Sequence, residues 1–348
     1  MPATTAMPRR ALLAASPAAA AAPARGQGAT PGRIALEEHF IIPSFLGYLD
    51  HALPRVTDAE RATLLRRLAD FGEERLAAMD SAGVGRAVLS ISGPGVQIEP
   101  DTATATRLAA AANDALAREI AKRPDRYAGF AHLALQDPAG AAAELERCVR
   151  QLGFSGAMVN HHTLGIYLDD PRYDVFWERL QALGVPLYLH PDNAFVMPHV
   201  LRGAPELEKP VWEWTTETAT HALRLVVAGV FDRFPRAQVI LGHMGETLPF
   251  MLWRLDSRYA LTETDRRVKR KPSDYIRENI FVTTSGQCDD VPLKAALSAL
   301  GEERVMFSVD YPYESSEVAG RFMALAEITP EQRRRVESDT ARRLLRLG

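Results

Sequence analysis

Eight short aliphatic runs, each followed by a longer stretch of helical period, constrain this chain more than any other feature. The runs are Arg33–Leu36, Ala87–Ile91, Tyr127–Ala134, Gly156–Val159, Pro186–Leu189, Gln238–Leu241, Ile280–Thr284 and Val305–Val309. They are nearly continuous in apolar residues, as expected of parallel strands covered on both faces. Eight strand–helix units close naturally into an α/β fold of the (β/α)8 type, a TIM barrel. No linker divides the stretch from Gly32 to Gly348, so residues 32–348 read as one domain.

The helices between the runs are clearly punctuated. Asp137-Pro138 offers an N-cap followed by proline at the first helical position, and Gly153 marks the stop. Between them Ala141, Leu145, Cys148, Val149 and Leu152 recur on one face. Asp170-Pro171 repeats the device, with Tyr173, Phe176, Trp177 and Leu180 as the buried stripe and Gly184 as the stop. Two cysteines cannot build a disulfide framework, and Cys148 reads as a small core residue. Cys288 follows the seventh run, near the expected mouth of the barrel. Ile41–Thr57 and Asp192–Trp214 are irregular and read as loops that shape a pocket.

Residues 1–31 differ in kind. Arg9-Arg10 precede an alanine-rich run to Ala22, which resembles a twin-arginine export leader to the periplasm or beyond. The competing reading, favoured by Pro17, is a low-complexity extension of a cytoplasmic protein. No later stretch has the roughly 18 continuous apolar residues of a membrane span. A formal charge of −3, with no basic cluster interleaved with aromatics, gives no basis for nucleic-acid binding.

The chemistry lies at the ends of the runs: Glu37-Glu38-His39, His161-His162, His190, His243 and Asp310. In a parallel barrel these ends meet at one mouth. Strand alternation lets Glu37 and His39 face it together while Glu38 points away. Any one of these residues alone reads as hydrogen-bonded structure. Glu37, His39, His190 and Asp310 together offer two imidazoles and two carboxylates, a set suited to Zn²⁺ or Mn²⁺. Two anionic ligands neutralise a divalent ion and leave the site open to an anionic, chelating substrate.

His243 and Glu246 stand close enough to share a proton, the carboxylate orienting the imidazole and raising its pKa; a structural turn is the other reading. Arg254, eleven residues beyond His243, reads either as a fork for a carboxylate or as a surface partner of Asp256. His161-His162 suit pocket lining or loop hydrogen bonding, and Gln287, Asp289 and Asp290 form a similar rim. His132 is either pocket or core, while His51, His199 and His221 have no constellation around them.

These residues resemble the decarboxylase branch of the amidohydrolase superfamily, its γ-resorcylate and 2,3-dihydroxybenzoate decarboxylases above all and the aminocarboxymuconate-semialdehyde decarboxylases further off. The similar stretches are Ile34–Phe40, Gly156–Asn160, Val185–Pro191, Thr220–Leu225, Leu241–Glu246, Thr283–Gly286 and Phe307–Glu314. Glu-X-His in place of His-X-His marks this branch. The resemblance implies one metal on Glu37, His39, His190 and Asp310, no organic cofactor, and His243 with Glu246 as a catalytic pair. Arg254, Asn160 and His161 are the expected substrate-binding residues. It further implies a homodimer or homotetramer acting on a small aromatic carboxylate.

The expected reaction is loss of CO₂ from a hydroxylated aromatic acid, with Asp310 protonating the carbon that carried the carboxylate. The alternatives are a metal-dependent hydrolase of a lactone or related ester and a non-catalytic binding protein, against which the intact set of polar residues argues. The chain departs from the branch at His161-His162, at Asp192–Phe195 and at Ser338–Ala341.

Overall fold

Glu37 and His39 lie inside the first strand, not beyond it. In the computed structural model, which describes residues 32–54, 56–265 and 268–348, β1 extends over Arg33–Phe40. It is followed by β2 (Val84–Ile91), β3 (Tyr127–Ala131), β4 (Gly156–Asn160), β5 (Leu187–His190), β6 (Val239–Leu241), β7 (Ile280–Thr283) and β8 (Val305–Met306). Each strand pairs in parallel with the next. The ring closes past β8, where the Asp310 amide donates to the Glu37 carbonyl at 3.0 Å and the His39 amide to the Tyr311 carbonyl at 2.7 Å. The expected (β/α)8 barrel is therefore the observed fold. The leader expected at residues 1–31 lies outside the described residues.

Two apolar layers follow from this closure. Leu36, Val88, Phe130, Met158, Tyr188, Ile240, Phe281 and Met306 fill the barrel, and Ala341 and Leu345 of the last helix join them. A second, larger layer packs the strands against the surrounding helices and holds Cys148, Phe176, Trp177 and Leu180, as their helical spacing predicts. The punctuation also holds. The Asp137 carboxylate accepts from the Gly140 amide at 3.0 Å, and Gly184 ends its helix in the left-handed region at φ 64°.

Simple alternation does not hold along β1. Ala35 pairs with Ala87 and Glu38 with Leu89, so β1 spends three residues where β2 spends two. A bulge of this kind re-aims side chains. Leu36 packs in the barrel core while the next residue, Glu37, serves the mouth. The Ser308 hydroxyl accepts from the amides of both Leu36 and Glu37, at 3.1 and 2.6 Å, where a ladder carbonyl would otherwise stand. Glu38 turns aside as expected and accepts from the Val309 amide at 3.0 Å. Burial pushes its carboxyl up to about 8.

Ile41–Thr57 is less irregular than its sequence suggests, since a short helix covers Leu46–Ala52. Its end is tied to the long loop after β5: Asn193 Nδ2 and Lys209 Nζ both donate to the His51 carbonyl, at 2.7 and 3.0 Å. Among the described residues no helix is long and apolar enough to cross a membrane.

His132 resolves to structure. Its Nε2 accepts from the Val96 amide at 2.9 Å, anchoring the segment after β2, and burial pushes its pKa down to about 3. An unfolded histidine titrates near 6.5. The folded protein thus binds fewer protons here, so the contribution is whole above pH 6.5 and is lost as pH falls toward 3. The slope is up to about 1.4 kcal/mol per pH unit. Between pH 6.5 and 4.5 the wild type is expected to lose about 2–3 kcal/mol more than His132→Gln, which keeps an acceptor but does not titrate. Thermal melts of both proteins across that range check it; parallel slopes would refute it.

Candidate metal centre and active site

Strands β1 and β5 and the segment just past β8 bring Glu37, His39, His190 and Asp310 to one point. One ligand atom from each lies within 4.8 Å of all the others. His39 Nε2 is 3.1 Å from Asp310 Oδ1, and His190 Nε2 is 3.3 Å from Glu37 Oε1. The two imidazoles meet edge to face, their centroids 4.7 Å apart. Glu37 Oε1, His39 Nε2 and Asp310 Oδ1 are buried and have no hydrogen-bond partner. Orphaned polar atoms this deep are costly unless something satisfies them. A divalent cation would satisfy all three, and its ligand chemistry fits.

The electrostatics prepare the same site. Burial works against the Glu37 carboxylate, yet the imidazoles of His243, His190 and His39 hold it well below the usual carboxylate range. Burial lowers the pKa of His39, outweighing the nearby carboxylates of Asp310 and Glu37, so its imidazole stays neutral as a ligand must.

His243 and Glu246 are joined as expected, Nδ1 to Oε1 at 2.7 Å. Burial disfavours the imidazolium, but the Glu246, Glu37 and Asp310 carboxylates prevail and raise its pKa well above the ordinary value. The far nitrogen, Nε2, lies 3.8 Å from both Glu37 Oε1 and Asp310 Oδ2, so the pair faces the centre. The backbone here is unusual. His243, Met244, Gly245, Glu246 and Thr247 all have φ between 48° and 80°, and Asp310 has φ 76°. Non-glycine residues held in this region cost about 1–3 kcal/mol each and cluster at functional sites.

Beside the centre opens a cavity of about 360 Å³. His190, His243 and Asp310 form part of its wall, and Trp212, Trp214 and Tyr313 give it an aromatic lining. The loops after β1 and β5 contribute Leu53 and Pro210, as their irregular sequences predict. Among the described residues no arginine or lysine lines it. The aromatic residues were not legible as site residues, because their sequence context marks them only as loop.

The three expected substrate-binding residues are not delivered to this cavity. Arg254 is exposed on the helix Leu252–Tyr259 and is not part of the lining. Its alternative partner, Asp256, instead accepts from the Ser273 amide and hydroxyl, at 2.9 and 2.6 Å. Asn160 is buried at the end of β4, opposite His190, with both amide atoms unpartnered.

His161 is fully buried in a relay that includes His221, the residue without an apparent constellation. The Leu168 amide donates to His221 Nε2, His221 Nδ1 meets His161 Nδ1 at 3.3 Å, and His161 Nε2 meets Glu217 Oε2 at 3.3 Å. The helix Glu213–Val227 supplies two of these groups, across more than fifty residues of sequence. No local pattern could reveal that. Cys288 is exposed and lines a separate shallow groove with Phe322 and Leu325.

Comparison with known proteins bears on this geometry. A family model described as amidohydrolase matches residues 42–347. A γ-resorcylate decarboxylase of Rhizobium sp. (strain MTP-10005) is 42% identical over 325 residues, covering 91% of this chain and 98% of the relative. A crystal structure of 2,6-dihydroxybenzoate decarboxylase complexed with 2,6-dihydroxybenzoate is 42% identical with a TM-score of 0.86, covering 91% of this chain and 100% of that one. A dihydroxybenzoic acid decarboxylase of Polaromonas sp. JS666, solved with manganese and the inhibitor 2-nitroresorcinol, is 40% identical with a TM-score of 0.86 over 91% of this chain and 98% of its own. With its barrel, its converging ligand set and these relatives, the chain belongs to the amidohydrolase family, within its decarboxylase branch.

Proposed function

We propose that this protein is a metal-dependent, non-oxidative decarboxylase of a hydroxylated benzoate, with 2,6-dihydroxybenzoate the first substrate to test. The observation that carries the reading is the convergence of four ligand atoms, three of them buried without partners, on the floor of an aromatic-walled cavity. Glu37, His39, His190 and Asp310 would hold one divalent ion, with Mn²⁺ favoured by the Polaromonas relative. When bound, such an ion supplies positive charge that holds and polarises substrate oxygens. This matters because, among the described residues, the His243 imidazolium is the only cation on the cavity wall to meet a carboxylate.

The chain's own residues do the rest. Trp212, Trp214 and Tyr313 hold the ring and exclude water. Asp310 delivers a proton to the ring carbon that bears the carboxylate; the C–C bond then breaks, CO₂ leaves, and the bonding pair restores aromaticity. His243, kept protonated by Glu246, faces Asp310 and supplies its proton in turn.

Large apolar side chains stand exposed on the loop after β5 (Val196, Val200, Val211) and near the helix Leu252–Tyr259 (Phe250, Trp253). Such surfaces support self-association, and we infer a homodimer or homotetramer. Arg254, on that helix and outside its own chain's cavity, grips a substrate carboxylate in such an assembly. The cysteines are free, Cys288 exposed, which supports a reducing, cytoplasmic setting over export.

The test is a panel of hydroxybenzoates given to protein loaded with Mn²⁺, followed by CO₂ release and run in D₂O. One deuterium on the carbon that lost CO₂ is expected, as is the reverse reaction from product and bicarbonate. Rapid opening of lactones with every hydroxybenzoate untouched would replace this reading with the hydrolase.

A further inference from the structure

One oxygen of Glu37 is orphaned and the other is crowded. Oε2 accepts hydrogen bonds from both the Tyr188 and the Ser285 hydroxyls. Each hydroxyl has one proton to give, so both are spent on Glu37. The Tyr188 oxygen can then only accept; Thr283 Oγ1 lies 2.7 Å from it and 3.0 Å from the Ser285 oxygen, and can donate to either. The Ser285 oxygen accepts from the His243 amide at 3.2 Å. The Tyr188 and Ser285 hydroxyl protons therefore both end on Oε2. Oε1 is left bare, 3.3 Å from His190 Nε2.

This arrangement is built into the barrel. Tyr188 lies two residues before His190 on β5, hence on the same face and one layer deeper. It is fully buried within the inner core. Gly242 leaves the room, since a Cβ there would sit 2.7 Å from Glu37 Oε2 and 3.0 Å from Ser285 Oγ.

Resting on the metal reading above, we propose that Tyr188 and Ser285 are positioning residues that fix Glu37 as a one-oxygen ligand, locking Oε2 so that Oε1 faces the metal. Through the Ser285–His243 bond the same network ties the metal ligand to the turn that carries the acid–base pair. Partners that orient a ligand in this way typically account for about 10–100-fold in metal affinity.

The experiment is titration of the metal-free full chain with Mn²⁺, free ion being read by electron paramagnetic resonance. Wild type, Tyr188→Phe, Ser285→Ala and Glu37→Gln are compared, with the melting temperature of each metal-free protein alongside. The Kd for Mn²⁺ is expected to rise about 10–100-fold in both Tyr188→Phe and Ser285→Ala. Thr283→Val, one bond further from Glu37, should shift it less. Ser285→Ala decides the matter should Tyr188→Phe fail to fold. Kd values within twofold of wild type, with only the melting temperature lowered, would make the network purely structural and overturn the proposal. A wild type that binds no Mn²⁺, or a Glu37→Gln that binds it unchanged, would instead remove the metal reading itself.

Discussion

Asp310→Asn, assayed at saturating Mn²⁺, is expected to lower kcat by about 10³-fold, ~4 kcal/mol of barrier, within the range for loss of a positioned proton donor. The amide is nearly isosteric and keeps an oxygen near His39 Nε2, now 3.1 Å from Oδ1. It cannot carry the transferable proton, and it removes one of the two negative charges at the centre. Saturating metal separates these effects, because weaker binding is then compensated and only the proton step remains. The same variant should lose hydrogen exchange with D₂O at the ring carbon of the product. Turnover within tenfold of wild type would leave Asp310 as a metal ligand alone.

His190→Ala is expected to strip the metal. Truncation removes one of four converging side chains that could hold a metal and leaves Glu37 Oε1 without its neighbour at 3.3 Å. A ligand itself should matter more than the partners that orient it, so the loss of Mn²⁺ affinity should exceed about 100-fold. The barrel should survive, because His190 caps the mouth end of β5 while Leu187, Tyr188 and Leu189 make the core contacts. Metal analysis of the purified variant, with far-ultraviolet circular dichroism to verify the fold, gives the answer. A full complement of metal would refute the ligand assignment.

A parallel barrel converts strand order into spatial convergence. Once eight apolar runs are recognised, the residues at their carboxyl ends must share a mouth, and Glu37, His39, His190, His243 and Asp310 do. The helix caps at Asp137 and the stop at Gly184 were likewise readable, since they rest on backbone chemistry within a few residues.

Three things were decided only in the folded chain. The bulge in β1 depends on the Ser308 hydroxyl, 272 residues away, accepting the Leu36 amide. The burial of His161 depends on a helix whose Glu217 and His221 look unremarkable in sequence. Arg254 has a suggestive offset from His243, yet the helix carrying it turns it to the surface.

Local periodicity and position along each strand are enough to give the architecture and the four side chains that could hold a metal. Orientation came from the folded chain alone: which oxygen of Glu37 is bare, which histidine is locked in a relay, and which aromatic rings line the cavity. Orientation is set by hydrogen-bond partners and packing neighbours scores to hundreds of residues apart, and no local pattern in a chain encodes those.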